Sequence, residues 1–97
     1  MNSRIDELMR RAGPPTVIII YTDADQAWRF AIHHTREIAD GWLETAPAAT
    51  TEVARAAAEA QLQQICQRFY DSTATVAWEP PDSKGMIRGA VSTTPRA

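Results

Sequence analysis

Two carboxylates, Asp23 and Asp25, follow an apolar run near the start of the chain and are the first groups that could do chemistry. Carboxylate oxygens are ligands that Mg²⁺ accepts in octahedral geometry. The same residues also fit the start of a helix, because Asp23 with Gln26 and Thr22 with Asp25 match capping-box spacing. Acidic residues in a first turn also suit the helix dipole. We therefore interpret the two aspartates as structural and expect no metal site there.

The histidines and the cysteine offer little more chemistry. On a helix, His33 and His34 would diverge by about 100° and could not share a metal. His33 could join Glu37 in a weak site, but a solvated helix face with ordinary i,i+4 pairing explains both residues. Two histidines and one cysteine are too few for a common structural zinc site. Cys66 lies on an apolar stripe, which predicts a buried and unreactive thiol. We expect no catalytic residue, no metal and no cofactor, and the sequence leans against an enzyme.

The segment Pro80–Gly85, followed by Arg88, is the most site-like loop. It is polar, rich in turn-forming residues, and carries Lys84. A loop of this kind on a hairpin is a natural recognition element, and a plain turn is the alternative that its turn-forming residues favour. The net charge of the chain is −2 and its cations do not cluster, so binding to a phosphate backbone is disfavoured.

The hydrophobic pattern assigns elements to most of the 97 residues, which is the length of one domain. Apolar spacings of three and four predict helices, and β-branched or alternating runs predict strands. Ser3 is a candidate helix cap. The predicted elements are a helix at 3–12, a strand at 16–22, helices at 23–44 and 51–70, strands at 73–79 and 86–92, and a tail at 93–97.

These elements predict an α+β fold with the order α-β-α-α-β-β. We expect a three-stranded mixed or antiparallel sheet packed on a long helical hairpin, with the first strand at the sheet edge. That strand is apolar on both faces, with Val17, Ile19 and Tyr21 on one side and Ile18 and Ile20 on the other. The second face then needs cover from the N-terminal helix, a second copy of the chain, or a foreign strand.

The three tryptophans fall on predicted inward positions. Trp28, Trp42 and Trp78 are therefore expected in the core. One that proved exposed would become a candidate anchor for a partner.

These features favour a small non-catalytic protein-interaction or regulatory module that self-associates as a homodimer. Its predicted contact residues are Val17, Ile19, Tyr21, Lys84 and Arg88. One alternative is a ligand-binding or enzymatic domain with a pocket near Tyr21, Asp23, Asp25 and His33. A second is weak nucleic-acid binding through the Lys84–Arg88 hairpin.

The location of the protein is predicted from what the sequence lacks. No apolar segment is long enough to span a bilayer. The apolar run near the start is preceded by acidic residues, so we expect no signal peptide and a cytoplasmic location.

Overall fold

Two helices and five strands follow one another along residues 3–96, the part of the chain that the computed structural model describes. The predicted cap at Ser3 concerns a side chain that lies outside the described structure. No helix in the described range is long and apolar enough to span a membrane. The elements are α1 (Ser3–Ala12), β1 (Pro15–Thr22), β2 (Trp28–His34), β3 (Ile38–Trp42), α2 (Thr51–Phe69), β4 (Ser72–Trp78) and β5 (Ile87–Pro95).

The strands form one antiparallel sheet in the order β3-β2-β1-β5-β4. The α+β class is therefore confirmed, but the three-stranded sheet and the helical hairpin are wrong. β1 is the central strand and not an edge strand, because β2 pairs with one side of it and β5 with the other. The central position of β1 in the sheet therefore explains why it carries apolar residues on both faces.

The predicted helix at 23–44 is instead a turn followed by the hairpin β2–β3. Trp28, Phe30 and Ile32 alternate with more exposed residues and point to the core, which is the period of a strand. Gly41 in β3 lies opposite Phe30, and a Cβ at Gly41 would come within 3.1 Å of the phenyl ring. The phenyl ring of Phe30 thus occupies the space that a side chain at Gly41 would fill. This contact depends on the pairing of β2 with β3 and could not form in a helix.

α2 covers one side of the sheet, here called the inner face. The Thr50 side chain caps the helix by accepting a hydrogen bond from the Val53 amide at 3.3 Å. Ala54 and Ala58 are fully buried, so their small side chains let the helix approach the strands closely. The core between helix and sheet is made by Ile18, Ile20, Trp28, Phe30, Ile32, Leu43, Ala54, Ala58, Leu62, Cys66, Ala74 and Ile87.

α1 packs near the C-terminal end of α2. The Tyr70 hydroxyl donates a hydrogen bond to the Met9 carbonyl, and Arg68 approaches Asp6 at 3.9 Å. The backbone amides of Thr35 and Arg36, in the β2–β3 turn, donate to the carbonyls of Pro14 and of Ala12, the last residue of α1. Within the described residues α1 thus contacts α2 and the β2–β3 turn, which differs from the position over the second face of β1 that the sequence analysis considered.

Candidate interaction surface

The side of the sheet opposite α2 is here called the open face, because no helix packs on it within the described residues. The strand register places the side chains of this face in rows that run across the sheet. Ile19 lies between Ala31 and Arg88, and Val17 lies between His33 and Ala90. Its residues include Val17, Ile19, Tyr21, Arg29, Ala31, His33, Ile38, Asp40, Trp42, Thr75, Ala77, Arg88, Ala90 and Ser92.

Two large apolar side chains of β3 stand out on this face. Trp42 is 65% exposed and Ile38 is 64% exposed. The guanidinium carbon of Arg29 lies 4.5 Å from the centre of the Trp42 ring, so a cation–π contact holds the indole in place. Tryptophan and arginine are the residue types that most often dominate binding at protein interfaces.

The tryptophans differ in their surroundings. Trp28 is buried, as predicted, and its indole N–H donates to the Ala49 carbonyl at 2.8 Å. Trp78 is half-buried and donates to Glu59 at 3.2 Å. The core position predicted for Trp42 is wrong, because that prediction rested on the helix now replaced by β3. Exposure makes Trp42 the candidate anchor that the sequence analysis described.

The open face carries charges of both signs. Arg88 lies 3.6 Å from Glu79, and Arg29 stands in the same sheet face as Asp40. Both members of the Arg88–Glu79 pair are more than half exposed, so the pair adds little stability. A surface with this balance does not present the clustered cations that a phosphate backbone requires.

The structure brings four of the five predicted contact residues to the open face. Val17, Ile19, Tyr21 and Arg88 lie there, and the three β1 residues are half-buried by their neighbours. Lys84 lies instead in the β4–β5 turn.

The β4–β5 turn is tightly organised around Asp82. One carboxylate oxygen of Asp82 accepts from the Lys84 amide at 2.8 Å and from the Met86 amide at 3.0 Å. Gly85 adopts a φ of +81°, which glycine allows without a steric cost. The turn is therefore ordered by its own hydrogen bonds.

The Asp23–Ala27 turn between β1 and β2 has the same arrangement. An Asp23 carboxylate oxygen accepts from the Asp25 amide at 2.9 Å and from the Ala27 amide at 3.1 Å. The helix start predicted at Asp23 is wrong, but its carboxylate does organise the backbone. No group of three or more His, Cys, Asp or Glu residues in the described range is placed to hold a metal ion.

The residues of the alternative pocket do not converge. Tyr21 and His33 lie on the open face, whereas Asp23 and Asp25 lie in a turn. A cavity of about 180 Å³ lies along α2 and is bordered by none of these four residues. Its lining residues are Gln61, Gln64, Ile65, Arg68 and Phe69.

Cys66 and His34 belong to the buried side of the sheet. Burial raises the pKa of the Cys66 thiol, which disfavours the reactive thiolate. His34 is 6% exposed, and its Nδ1 lies 2.8 Å from the Gly13 carbonyl, a contact that joins β2 to the segment after α1. The surroundings of both side chains thus fit a structural role in the fold.

Ile38 and Trp42 are exposed apolar residues of this candidate surface that the sequence analysis did not place there. The signal that could have found them is the alternation from Trp28 to His34, which indicates a strand and so makes a second strand downstream plausible.

No family model, curated protein or solved structure matches this chain.

Proposed function

We propose that the protein is a small non-catalytic interaction or regulatory module that self-associates through its open face. The supporting observation is the combination of a sheet face on which no helix of residues 3–96 packs and two exposed apolar residues, Ile38 and Trp42, at one side of it. Exposed apolar area of this kind, surrounded by polar residues, is typical of protein interaction sites.

The size of the face suits a modest dimer. Five strands of five to nine residues, spaced about 4.8 Å apart and averaging about seven residues at about 3.3 Å per residue, span roughly 550 Å² in projection. Side chains increase the accessible area above that projection. Specific interfaces begin near 600 Å² per partner, so we expect a reversible dimer. Sheets pack face to face about 10 Å apart, which the side chains of Ile19 and Tyr21 can fill.

The oligomeric state tests this proposal. Multi-angle light scattering at rising concentration should show a mass between one and two chains that increases toward the dimer. Ile38→Lys together with Trp42→Ala should shift the protein to a monomer, because both side chains are exposed and their replacement leaves the core intact.

Val53→Lys is the matched control, since Val53 is 50% exposed on α2, away from the open face. It should dimerise like the parent protein. A parent protein that stays monomeric at several hundred micromolar, or a Val53→Lys variant that loses dimerisation equally, would contradict the proposal.

A further inference from the structure

The two edges of the sheet differ in whether their outward backbone groups are occupied. At the β4 edge, the side-chain amide of Gln63 on α2 bonds both polar backbone groups of Ala74. Its oxygen accepts from the Ala74 amide at 3.1 Å, and its nitrogen donates to the Ala74 carbonyl. Gln63 thus imitates one residue of a neighbouring strand and occupies the edge at Ala74.

Among residues 3–96, β3 pairs with a strand on one side only. The Leu43 amide donates to the Trp28 carbonyl, and the His34 amide donates to the Glu37 carbonyl. Hydrogen-bonded and non-hydrogen-bonded pairs alternate along an antiparallel ladder. The backbone groups that point away from β2 are therefore those of Ile38, Asp40 and Trp42.

The same three residues also define the side-chain pattern of the edge. Ile38, Asp40 and Trp42 alternate with residues on the inner side and present an apolar, an acidic and an apolar group to the open face. Opposite charges in facing positions of neighbouring strands stabilise a pair, and like charges destabilise it.

A second copy fits this edge poorly. The antiparallel register that would place Ile38 opposite Trp42 of another copy also places Asp40 opposite the same aspartate. Two carboxylates would then face each other at the centre of the new ladder. Asp40 thus disfavours self-pairing at the edge and favours a cation in that position.

We propose that the β3 edge binds an extended segment of a partner protein that carries Lys or Arg between two apolar residues, each two positions away. The segment would add a sixth strand, with main-chain hydrogen bonds to Ile38, Asp40 and Trp42. Its basic residue lies opposite Asp40, and its apolar residues lie opposite Ile38 and Trp42. Because the pattern is symmetric, parallel and antiparallel segments both satisfy it. This inference does not depend on self-association through the open face.

Two synthetic peptides test the proposal. One has the sequence Ser-Val-Thr-Lys-Thr-Val-Ser with blocked ends, and the other has Glu in place of Lys. Amide chemical shifts of ¹⁵N-labelled protein give both the affinity and the location of binding. The Lys peptide should shift β3 amides and bind about fivefold or more tightly than the Glu peptide. In Asp40→Lys protein the preference should reverse.

A second pair of variants separates backbone from charge. Asp40→Asn removes the charge and keeps the outward N–H, so binding should persist with no preference between the peptides. Asp40→Pro also removes the N–H, which makes no bond to β2, and should reduce binding of both peptides below that of Asp40→Asn.

Several results would overturn the proposal. They are equal affinity of the two peptides for the parent protein, shifts confined to β4, and no binding of either peptide at millimolar concentration, which would leave Asp40 as only a guard against aggregation. Light scattering on the same samples measures dimerisation separately. The peptide experiment detects binding at the β3 amides whether the protein is a monomer or a dimer, so failure of this proposal can be told from failure of the dimer proposal.

Discussion

Replacing Gln63 by Met should destabilise the protein by removing the side chain that occupies the β4 edge. The variant keeps a similar length and a helix-compatible side chain, but it loses both hydrogen bonds to Ala74. Ala74 is almost fully buried, so water has little access to its backbone groups.

The magnitude follows from these two bonds. A typical intramolecular hydrogen bond contributes about 1 kcal/mol net, and a buried group left without a partner costs about 1–3 kcal/mol. Burial of the Met side chain offsets part of this loss. We expect the free energy of unfolding to fall by about 2 kcal/mol, which lowers Tm by roughly 10 °C in a domain of this size.

Urea denaturation measures the stability, and amide hydrogen exchange locates the effect. The Ala74 amide should exchange much faster in Gln63→Met, while amides of β1 change only with the global stability. Gln67→Met is the control, because Gln67 is exposed on the same helix and its change should stay within about 0.5 kcal/mol. Equal stability of Gln63→Met and Gln67→Met, with Ala74 still protected, would refute the role assigned to Gln63.

Three further changes have defined outcomes. Gly89→Ala should lower the free energy of unfolding by about 1–3 kcal/mol in urea denaturation, since its Cβ would lie 2.4 Å from Val76, and the loss should shrink in a Val76→Ala background. Gln26→Gly should raise Tm by relieving a φ of +61°, with a gain of about 0.5–1 kcal/mol; an unchanged or lower Tm would contradict this. Burial raises the pKa of Cys66, and burial followed by the proximity of Cys66 raises the pKa of Tyr70. The folded state favours the neutral thiol and the neutral phenol, so the free energy of unfolding should be highest below about pH 8.5 and should decline as pH rises above it. The decline should be steeper than in Cys66→Ala when both proteins are followed by thermal denaturation.

The sequence predicted the parts of the fold whose signals are local and unambiguous. The β-branched run at Val17–Ile20 has one structural interpretation, and it is a strand. The alternation around Val76 and the alanine-rich stripe around Ala58 likewise gave a strand and a helix at the observed places.

The hairpin β2–β3 could not be found in the same way. Ala27, Trp28, Ala31 and Ile32 fit helical spacing, while Trp28, Phe30 and Ile32 fit the spacing of a strand. The turn between the strands, at Thr35 and Arg36, contains neither Gly nor Asn, so it lacks the usual hairpin signal. The structure has the strand, in which Phe30 packs over Gly41 of the neighbouring strand, and such a tertiary contact cannot be read from local spacing.

The sequence predicted the residues that β1 contributes to the candidate surface but not those that β3 contributes. The outward positions of Val17, Ile19 and Tyr21 followed from strand alternation alone. The positions of Ile38 and Trp42 depended on an element that the sequence did not reveal, so the most exposed part of the surface was missed.

The pairing of β1 with β5 has a consequence for synthesis on the ribosome. Val17 pairs with Ala90 across a separation of roughly 70 residues, so the β1–β5 pairing can form only after the residues near Ala90 have been synthesised. The three-stranded meander β1–β2–β3 emerges first, with Ile18 and Ile20 still lacking both α2 and β5. We therefore expect the nascent chain to carry an uncovered apolar surface until α2 and β5 have emerged, which is the interval in which a chaperone would engage it.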